Sequence, residues 1–484
     1  MSITTSSALR LAQPAGRWVM AATALGAGLV LLETTVVNVA LPAIGRGLDT
    51  SLVGLQWSVN AFTLTLSGFI LLGGALGDRF GRRRIYLIGL AWFAVASLLC
   101  GMAENVGWLI AARALQGIGG ALLVPGSLAL IQQSFHPDDR ARAVGAWSGL
   151  SGVAGAAGPL LGGWLVDVAS WRWAFYVNVP VAVVVAVLLV RHVPESRDPD
   201  PPRRFDLAGG LLAAVGLGGA TYALTEASGA GWPVLGSALV AVAALVAFVQ
   251  VERRRRAPML PLELFASRQF TAANLASFGV YGAVAGLFFL LPIQLQVTVG
   301  YSPLGAGLAL LPATVLVLLL SARAGARSAR TGTRLPLTVG SLVCVVALLL
   351  APRVTSGAHY LTDVLPTVVL IGIGISMVTP AISTAVLGAV PDRRVGIASA
   401  VNNGVARTAG LVAVAALPAI AALPPDATQD PAALDQGFGT SMLGCAGLFL
   451  AGGLVAWLGI RRTAAAATTP NEPRPTTTPP VSRR

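Results

Sequence analysis

The sequence predicts an all-α protein that crosses a membrane many times. Of its 484 residues, 55% are hydrophobic and only 11% are charged, whereas a soluble domain carries about 25% charged residues. Each membrane-spanning helix needs about 20 consecutive, mostly apolar residues, and apolar runs of that length recur along the whole chain. None of these runs alternates apolar and polar residues as the strands of a membrane β-barrel do, so we expect helices throughout.

Polar residues between the apolar runs divide the chain into fourteen predicted spans. The first run follows two arginines and is too long for the core of a signal peptide, so we interpret it as a retained helix. The spans lie near residues 18–44, 52–76, 85–102, 107–131, 141–166, 173–190, 205–226, 233–251, 269–293, 303–322, 335–351, 362–389, 395–420 and 437–460. An even number of spans places both termini on the same side of the membrane.

The placement of arginine predicts which side that is. All 33 basic residues are arginine, and 28 of them fall in the terminal segments and in the loops on the same side as the termini. Three lie in the opposite loops, and Arg113 and Arg407 lie within spans. Because basic residues stay on the cytoplasmic side, we expect both termini to be cytoplasmic. A chain without lysine that is rich in Ala, Gly and Val is typical of a GC-rich bacterial genome, so we expect the bacterial plasma (inner) membrane.

Composition and motifs argue against other classes of function. The net charge is +13, but a nucleic-acid-binding protein presents its basic face on a soluble fold, and here the charges lie between apolar runs. The three cysteines all lie inside apolar runs, without metal-ligand spacing. No phosphate-binding loop, zinc-protease helix or serine-nucleophile motif occurs. We therefore expect no nucleic-acid partner, no metal, no cofactor and no enzymatic activity, because a membrane-embedded enzyme would need a catalytic cluster.

The stretch GALGDRFGRRR between the second and third spans combines an acid with arginines and glycines. Its candidate gating residues are Gly74, Asp78, Arg79, Gly81, Arg82 and Arg83. Glycine permits a tight turn and close helix approach, and Asp78 can accept hydrogen bonds from arginine or from amides at a helix N-terminus. A topology anchor would explain the arginines, but not the acid and the glycines. The stretch resembles the signature loop of the major facilitator superfamily, which implies a contact that forms in one conformation and breaks in another.

The first span contains an acid in the stretch LLETTVVNVALPAI (31–44). Ionised acids at membrane depth are costly and are functional candidates by default. Glu33 lies about midway along its span, where a buried carboxyl could load and release a proton near neutral pH. The stretch resembles the first helix of the fourteen-helix drug:proton antiporters, where the acid is usually aspartate, and this resemblance implies that Glu33 carries the proton. A structural, hydrogen-bonded acid is the alternative.

The fourth span contains an arginine in the stretch RALQGIGGALLVPGS (113–127). Arg113 stays charged and needs an acceptor, and Gln116 lies three residues on, on the same face of a helix. The stretch resembles the fourth-helix arginine pattern of the same family, which implies that Arg113 assists proton transfer by modulating Glu33. A purely structural buried arginine is the alternative.

The fifth span contains a glycine-rich stretch, GVAGAAGPLLGGWL (152–165). Small residues at near-four spacing create a smooth helix face, and proline bends a helix. The stretch resembles the antiporter motif of the fifth helix, which is associated with exporters rather than with uptake members of the superfamily. The residues that carry the motif are Gly155, Gly158, Pro159, Gly162 and Gly163.

The second half of the chain resembles the family less closely. The stretches at 290–312 and 396–410 are similar to it, whereas the predicted inner loop ARAGARSARTGTR (322–334) is a decayed copy of the first-half signature that lacks the acid. The resemblance as a whole covers about residues 18–460.

The resemblance implies a major facilitator fold. We expect a cytoplasmic N-terminus (1–17), a six-helix bundle (18–190), an extra helix pair (205–251), a second six-helix bundle (269–460) and a disordered cytoplasmic tail (463–484), because the tail is rich in Thr and Pro. The fold implies alternating access to a site near the midplane between the bundles.

The function implied is proton-coupled antiport that exports hydrophobic or amphiphilic small molecules, and the alternative is a solute importer with the same fold. The expected partners are the substrate, protons and the lipid bilayer, and we expect a monomer. Candidate substrate-binding residues are Asn38, Gln56, Asn60, Gln116, Gln294, Asn402 and Arg407. Since the spans hold one deep acid and two arginines, neutral or weakly anionic amphiphiles are favoured over dicationic compounds.

Overall fold

A computed structural model describes residues 9–197, 207–229, 231–255, 260–391 and 394–461. These ranges contain helices and short connections, and the single β-bridge within them pairs Leu9 with Phe135. The predicted disordered tail (463–484) and the first eight residues of the predicted N-terminal segment lie outside the described residues.

Fifteen α-helices account for most of the described chain. They are α1 (Pro14–Gly47), α2 (Leu52–Phe80), α3 (Arg82–Gly101), α4 (Val106–Ser134), α5 (Pro137–Val168), α6 (Trp173–Tyr176), α7 (Asn178–His192), α8 (Leu207–Thr225), α9 (Trp232–Arg254), α10 (Arg268–Val297), α11 (Pro303–Thr331), α12 (Arg334–Leu350), α13 (Leu365–Leu387), α14 (Val395–Ile420) and α15 (Pro431–Gly459). A π-helical turn (Tyr360–Val364) precedes α13.

The helices confirm the predicted pattern of membrane spans. Within the described residues, thirteen helical segments are long and apolar enough to cross a membrane, and α2 makes fourteen if its 48° bend after Ile70 lies within one span. The short helix α6 continues into α7 as the sixth span, and the π-helical turn continues into α13 as the twelfth.

Two helices extend further than the apolar runs predict. The predicted inner loop 322–334 is mostly helix, because α11 continues to Thr331 and ends where Gly332 adopts a φ of +90°. Helix α2 likewise continues through Asp78 and Arg79 to Phe80. Arginine is a good helix former and its long side chain reaches the polar surface, so charge ends the hydropathy signal before it ends the helix.

The described chain begins and ends on one face of the molecule, which we call the terminal face. Leu9 pairs with the end of α4, and Arg268 at the start of α10 donates to the carbonyl of Leu458 at the end of α15. The opposite side, which we call the far face, holds the end of α1 and the start of α2. There the amide of Leu52 donates to the carbonyl of Pro425 at 2.7 Å.

The helices pack as two groups and a pair. Among α1–α7 the main contacts are α2 with α4, α1 with α5, and α3 with α4, whereas among α10–α15 they are α11 with α13, α10 with α15, and α12 with α13. Helices α8 and α9 pack on each other, and α8 also contacts α2 and α14. The two groups meet along α5–α11, α2–α14 and α1–α10, which we call the seam.

The seam is held together near the far face. Gln56 of α2 donates to the carbonyl of Val414 of α14 at 2.7 Å, and Gln296 of α10 donates to the carbonyl of Val39 of α1 at 2.8 Å. Asp167 at the end of α5 accepts hydrogen bonds from the start of α11.

One face of the terminal-face half of α5 is open. A Cβ built on Gly145, Gly149 or Gly152 would have no heavy atom within 4 Å. These three glycines share one face of the helix, since they are spaced at four and three residues. The seam is therefore tight at the far face and wider toward the terminal face.

The glycines of the predicted antiporter motif lie where α5 touches other helices. A Cβ at Gly158 would lie 1.8 Å from Thr35 Oγ1, and a Cβ at Gly162 would lie 2.9 Å from Val36 Cα. A Cβ at Gly163 would lie 2.5 Å from the carbonyl oxygen of Pro303 in α11. Their absent side chains therefore allow α5 to approach both α1 and α11.

Two further motif residues contribute backbone contacts. The carbonyl of Gly155 accepts a hydrogen bond from Thr35 Oγ1 at 3.0 Å. The carbonyl of Pro159 would lie 2.2 Å from a Cβ at Gly307 of α11, so this approach needs a glycine on the other helix as well.

The packing predicts that Gly162→Ala destabilises the protein whereas Gly152→Ala does not. Alanine favours a helix over glycine by about 1 kcal/mol at either position, but only the Cβ at position 162 meets backbone, and such overpacking costs about 1–3 kcal/mol. The measurement is the melting temperature of each purified variant in one detergent. Equal melting temperatures would contradict the close approach of α5 to α1.

Candidate functional site

A buried ion pair lies inside the group α1–α7. Arg113 of α4 donates from Nη1 to Oε1 of Glu33 of α1 at 2.5 Å, and the relative exposures of the two residues are 1% and 0%. The amide of Asn178, the first residue of α7, donates to the other carboxylate oxygen of Glu33. Each oxygen of the carboxylate therefore has a donor from a different helix.

The guanidinium of Arg113 has further partners besides the acid. Its Nε donates to the carbonyl of Ser58 in α2 at 2.9 Å, and Nη1 also donates to Oε1 of Gln116 at 2.6 Å. Its central carbon lies 4.3 Å from the ring centroid of Phe62, within the range of a cation–π contact. Gln116 in turn donates to Ser97 Oγ of α3 at 2.8 Å. We call Glu33, Ser58, Ser97, Arg113, Gln116 and Asn178 the buried cluster.

Arg113 has contacts that do not depend on the charge of Glu33. A buried charge is tolerated only when it is paired and hydrogen-bonded, and here both charges are paired. If Glu33 takes up a proton, Arg113 loses its counter-ion but keeps the carbonyl of Ser58, the oxygen of Gln116 and the face of Phe62. The arrangement therefore has a residue that can titrate and a cation with alternative contacts.

The structure brings Glu33, Arg113 and Gln116 together, but Gln116 has no free group for a substrate. It is fully buried, with its oxygen accepting from Arg113 and its nitrogen donating to Ser97. Asn178 is not among the residues that the sequence predicts for this site. The only signal for it is an isolated amide inside the stretch SWRWAFYVNVP (170–180), at the start of an apolar run.

Three other candidate substrate residues form hydrogen bonds that join helices. Gln56 bridges α2 and α14, as described above. Gln294 donates to the carbonyl of Val354 at 2.7 Å and to Asp435 Oδ1 at 2.6 Å. Asn402 donates to Ser277 Oγ at 2.7 Å and to Asn274 at 3.2 Å.

The remaining three candidate substrate residues are Asn38, Asn60 and Arg407. Asn38 and Arg407 are half-buried. Asn60 is 1% exposed, and neither atom of its amide group has a hydrogen-bond partner among the described residues.

The residues predicted to form a gating loop lie on two helix ends joined by one residue. Asp78 and Arg79 belong to the last turn of α2, and Arg82 and Arg83 belong to the first turn of α3. Gly81 joins them with a φ of +113°, a conformation that favours glycine. The predicted loop is thus a single-residue turn.

Asp78 pairs with arginine rather than with helix amides. Its Oδ1 accepts from Nη2 of Arg82 at 2.8 Å and from Nε at 2.9 Å. The amides at the start of α3 are instead bound by Glu195, which accepts from the backbone of Arg83 and Arg84 at 3.1 Å each. A Cβ at Gly81 would lie 2.8 Å from this carboxylate, which gives a second reason for glycine there.

Gly74, the other glycine predicted to permit close helix approach, makes an ordinary contact. A Cβ there would lie 3.5 Å from Pro125, whereas a Cβ on the neighbouring Gly73 would lie 2.2 Å from the carbonyl oxygen of Ala121. The close approach of α2 to α4 therefore occurs at Gly73. Sequence spacing alone does not distinguish adjacent glycines on a helix.

Comparison with known sequences gives one family. The family model described as Major Facilitator Superfamily matches residues 23–415. The puromycin resistance protein pur8 of Streptomyces alboniger is 41% identical over 393 residues, which cover 79% of this chain and 77% of that protein. The methylenomycin A resistance protein of Bacillus subtilis is 37% identical over 398 residues, which cover 80% of this chain and 84% of that protein. The multidrug resistance protein Stp of Mycobacterium tuberculosis is 37% identical over 384 residues, which cover 78% of this chain and 71% of that protein.

Solved structures confirm the fold class. A bacterial homologue of the human lysosomal transporter Spinster, in an inward-facing and unoccupied conformation, superposes with a TM-score of 0.67 at 18% identity and covers 93% of this chain and 97% of its own. The POT family transporter PepTSo superposes with a TM-score of 0.65 at 16% identity, and the match covers 91% of this chain and 97% of PepTSo. At such low identity, these likenesses establish the predicted all-α, many-span architecture and nothing further.

The geometry of the α2–α3 turn predicts that Asp78→Asn slows turnover without unfolding the protein. The pair with Arg82 is partly exposed, and pairs of that kind contribute about 0–1 kcal/mol to stability, so a role in gating would affect rate more than melting temperature. The measurement is transport per correctly inserted molecule in proteoliposomes.

Asp138→Asn is the matched control, because Asp138 also pairs with an arginine on the terminal face and is more exposed. We expect normal turnover for this control. If Asp78→Asn changes only membrane orientation and leaves the rate per inserted molecule intact, the pair is an anchor and not a gate.

Proposed function

This chain belongs to the major facilitator superfamily, and from that membership we propose that it exports hydrophobic or amphiphilic small molecules in exchange for protons. The observation that carries the proposal is the buried cluster, where the single acid deep within α1 is paired with the single arginine deep within α4. The superfamily and these relatives are transporters, not enzymes.

The direction of transport and the substrate class rest on the relatives. Proteins 37–41% identical to this chain are named for resistance to puromycin, to methylenomycin A and to multiple drugs. Resistance through a membrane transporter requires that the compound leave the cell. The glycine contacts that join α5 to α1 and α11 support the same conclusion, because they occur in the stretch that resembles the exporter motif.

We propose that Glu33 carries the proton and that Arg113 assists proton transfer by modulating Glu33. When Glu33 is ionised, the ion pair holds α1 against α4, and Asn178 holds it against α7. Protonation removes the charge on Glu33 and weakens both contacts, because a charge-assisted hydrogen bond is about twice as strong as a neutral one.

Helix α1 transmits this change to the seam. Six residues beyond Glu33, the carbonyl of Val39 accepts the side chain of Gln296 from α10. A shift of α1 that follows protonation therefore acts directly on a hydrogen bond between the two groups of helices. Loosening the seam at the far face and closing it at the terminal face is the alternating-access motion that the proposal requires.

The proposal includes the orientation of the molecule and its organisation. We infer that the protein lies in the bacterial plasma membrane with the terminal face in the cytoplasm, so this conformation would open inward. Helices α1–α7 and α10–α15 would act as two six-span bundles, with α8 and α9 as an additional pair. Asp78 and Arg82 would gate at the cytoplasmic side, and the transporter would work as a monomer.

The coupling role predicts that Glu33→Gln abolishes export driven by a pH gradient while the protein still folds. Glutamine keeps the shape and can hydrogen-bond to Arg113, but it cannot exchange a proton. The measurement is substrate-driven proton movement in proteoliposomes, followed with an enclosed pH-sensitive dye.

Glu104→Gln is the control, because Glu104 is an exposed acid near the far face. We expect this variant to retain coupled export, and Glu33→Asp to retain part of it. Undiminished proton-driven transport by Glu33→Gln would overturn the assignment. Net accumulation of substrate inside cells would instead favour the importer.

A further inference from the structure

The two arginines within spans differ in their surroundings. Arg113 donates through Nε and Nη1 to three partners and lies over the ring of Phe62, as described above. Arg407 of α14 is half-buried, and across the described ranges its side chain forms no hydrogen bond or ion pair; its Nε is fully buried without a partner. An unpaired guanidinium in a low-dielectric environment is costly, so Arg407 has unused capacity to bind an anion.

Arg407 lies on the side of α14 that faces α2. Asn402 bonds to α10 and therefore marks the face of α14 that points into its own group. Arg407 lies about 140° around the helix from Asn402, since each residue advances by about 100°. Val414 lies seven residues beyond Arg407, on the same face, and Val414 is where Gln56 of α2 makes its contact. Arg407 thus points toward the seam.

Helix α2 presents a polar stripe on the opposite side of the seam. Gln56, Asn60, Thr63 and Ser67 are spaced at four, three and four residues, so they share one face of the helix. Gln56 shows that this face meets α14. Asn60 is buried on this face with both its amide oxygen and its amide nitrogen unpartnered among the described residues.

Asn60 and Arg407 lie at nearly the same depth. Helices α2 and α14 run in opposite directions, so both residues lie on the terminal-face side of the contact between Gln56 and Val414. At 1.5 Å per residue, Asn60 is about 6 Å from Gln56 along the axis, and Arg407 is about 10 Å from Val414. The side chain of an arginine is long enough to span the difference.

We propose that Arg407 and Asn60 bind the anionic group of an amphiphilic substrate, such as a carboxylate or a sulfonate. This inference rests on the proposed export function and names the substrate class. A guanidinium binds two oxygens of such a group in a bidentate manner, and the Asn60 amide supplies a further donor. Space exists beside Arg407, because a Cβ at Gly404 would have no heavy atom within 4 Å.

The charges of the deep residues support an anion over a cation. Glu33 and Arg113 neutralise each other at 2.5 Å, so the charge of Arg407 remains uncompensated. A cationic substrate at this point of the seam would be repelled, whereas an anionic group would supply the missing counter-ion.

The test uses two dyes with the same aromatic skeleton, anilinonaphthalene sulfonate and the uncharged phenylnaphthylamine. Export of each is followed by fluorescence in proteoliposomes that contain the full chain. We expect Arg407→Gln to lower export of the sulfonate relative to the neutral dye by about tenfold, equivalent to about 1.4 kcal/mol. We expect Asn60→Ala to change the ratio in the same direction.

Two controls separate binding from folding and from general electrostatics. Arg407→Lys keeps the charge but loses the bidentate fork, so it should retain an intermediate preference for the sulfonate. Arg323→Gln removes an exposed arginine from the terminal-face half of α11 and should leave the ratio unchanged. Export of the neutral dye reports the folded, active fraction of each variant.

Three results would overturn the inference. Equal loss of both dyes in Arg407→Gln would assign the arginine a structural role. Export of the neutral dye but not of the sulfonate by the unaltered protein would exclude an anion site while leaving the proposed function intact. Export of neither dye would contradict the proposed function itself, and the anion site with it.

Discussion

The ion pair between Glu33 and Arg113 is the constraint that determines how the first group of helices packs. Either charge alone inside this group would cost several kcal/mol, so each requires the other, and their remaining donors and acceptors require further partners. Those partners come from α2, α3, α4 and α7, through Ser58, Ser97, Gln116 and Asn178. A single buried pair therefore determines the relative positions of five helices.

The same constraint explains why α5 is rich in glycine. Because the pair holds α1 toward α4 and α7, α5 must pack on the remaining side of α1, where its own side chains would collide with the α1 backbone. A Cβ at Gly162 would lie 2.9 Å from Val36 Cα, and one at Gly163 would meet α11 of the other group at 2.5 Å. The buried cluster and the seam are thus connected through two helix contacts, so a change in charge at Glu33 can reach the far face through packing alone.

The sequence predicts the parts of this arrangement that depend on one helix at a time. Apolar runs locate the thirteen spans of the described residues, and a fourteenth if the bent α2 is one span, and the rarity of deep charges identifies Glu33 and Arg113. The parts that depend on which helices are neighbours are not predictable in this way: Asn178 completes the buried cluster from another span, and Glu195 takes the amides that Asp78 could have bound. Helix ends are also missed, because arginine ends an apolar run without ending the helix, as at the end of α11.

The two groups of helices share a glycine turn with positive φ, but the charged residues near that turn differ. Gly332 joins α11 to the segment before α12 with a φ of +90°, as Gly81 joins α2 to α3 with a φ of +113°. Three residues before these glycines, the first group has Asp78 and the second has Ala329. The turn is therefore retained where the acid is not, since the turn is needed to reverse the chain, whereas under the proposed gating role the acid serves only a contact that breaks. The deep charges follow the same division, because the first group encloses a balanced pair and the second carries an arginine that has no counter-ion among the residues that the structure describes. If Glu33 carries the proton and Arg407 binds the substrate, as proposed, the two need not compete for one residue, and the coupling between them has to pass through the packing of α1 and α5 along the seam.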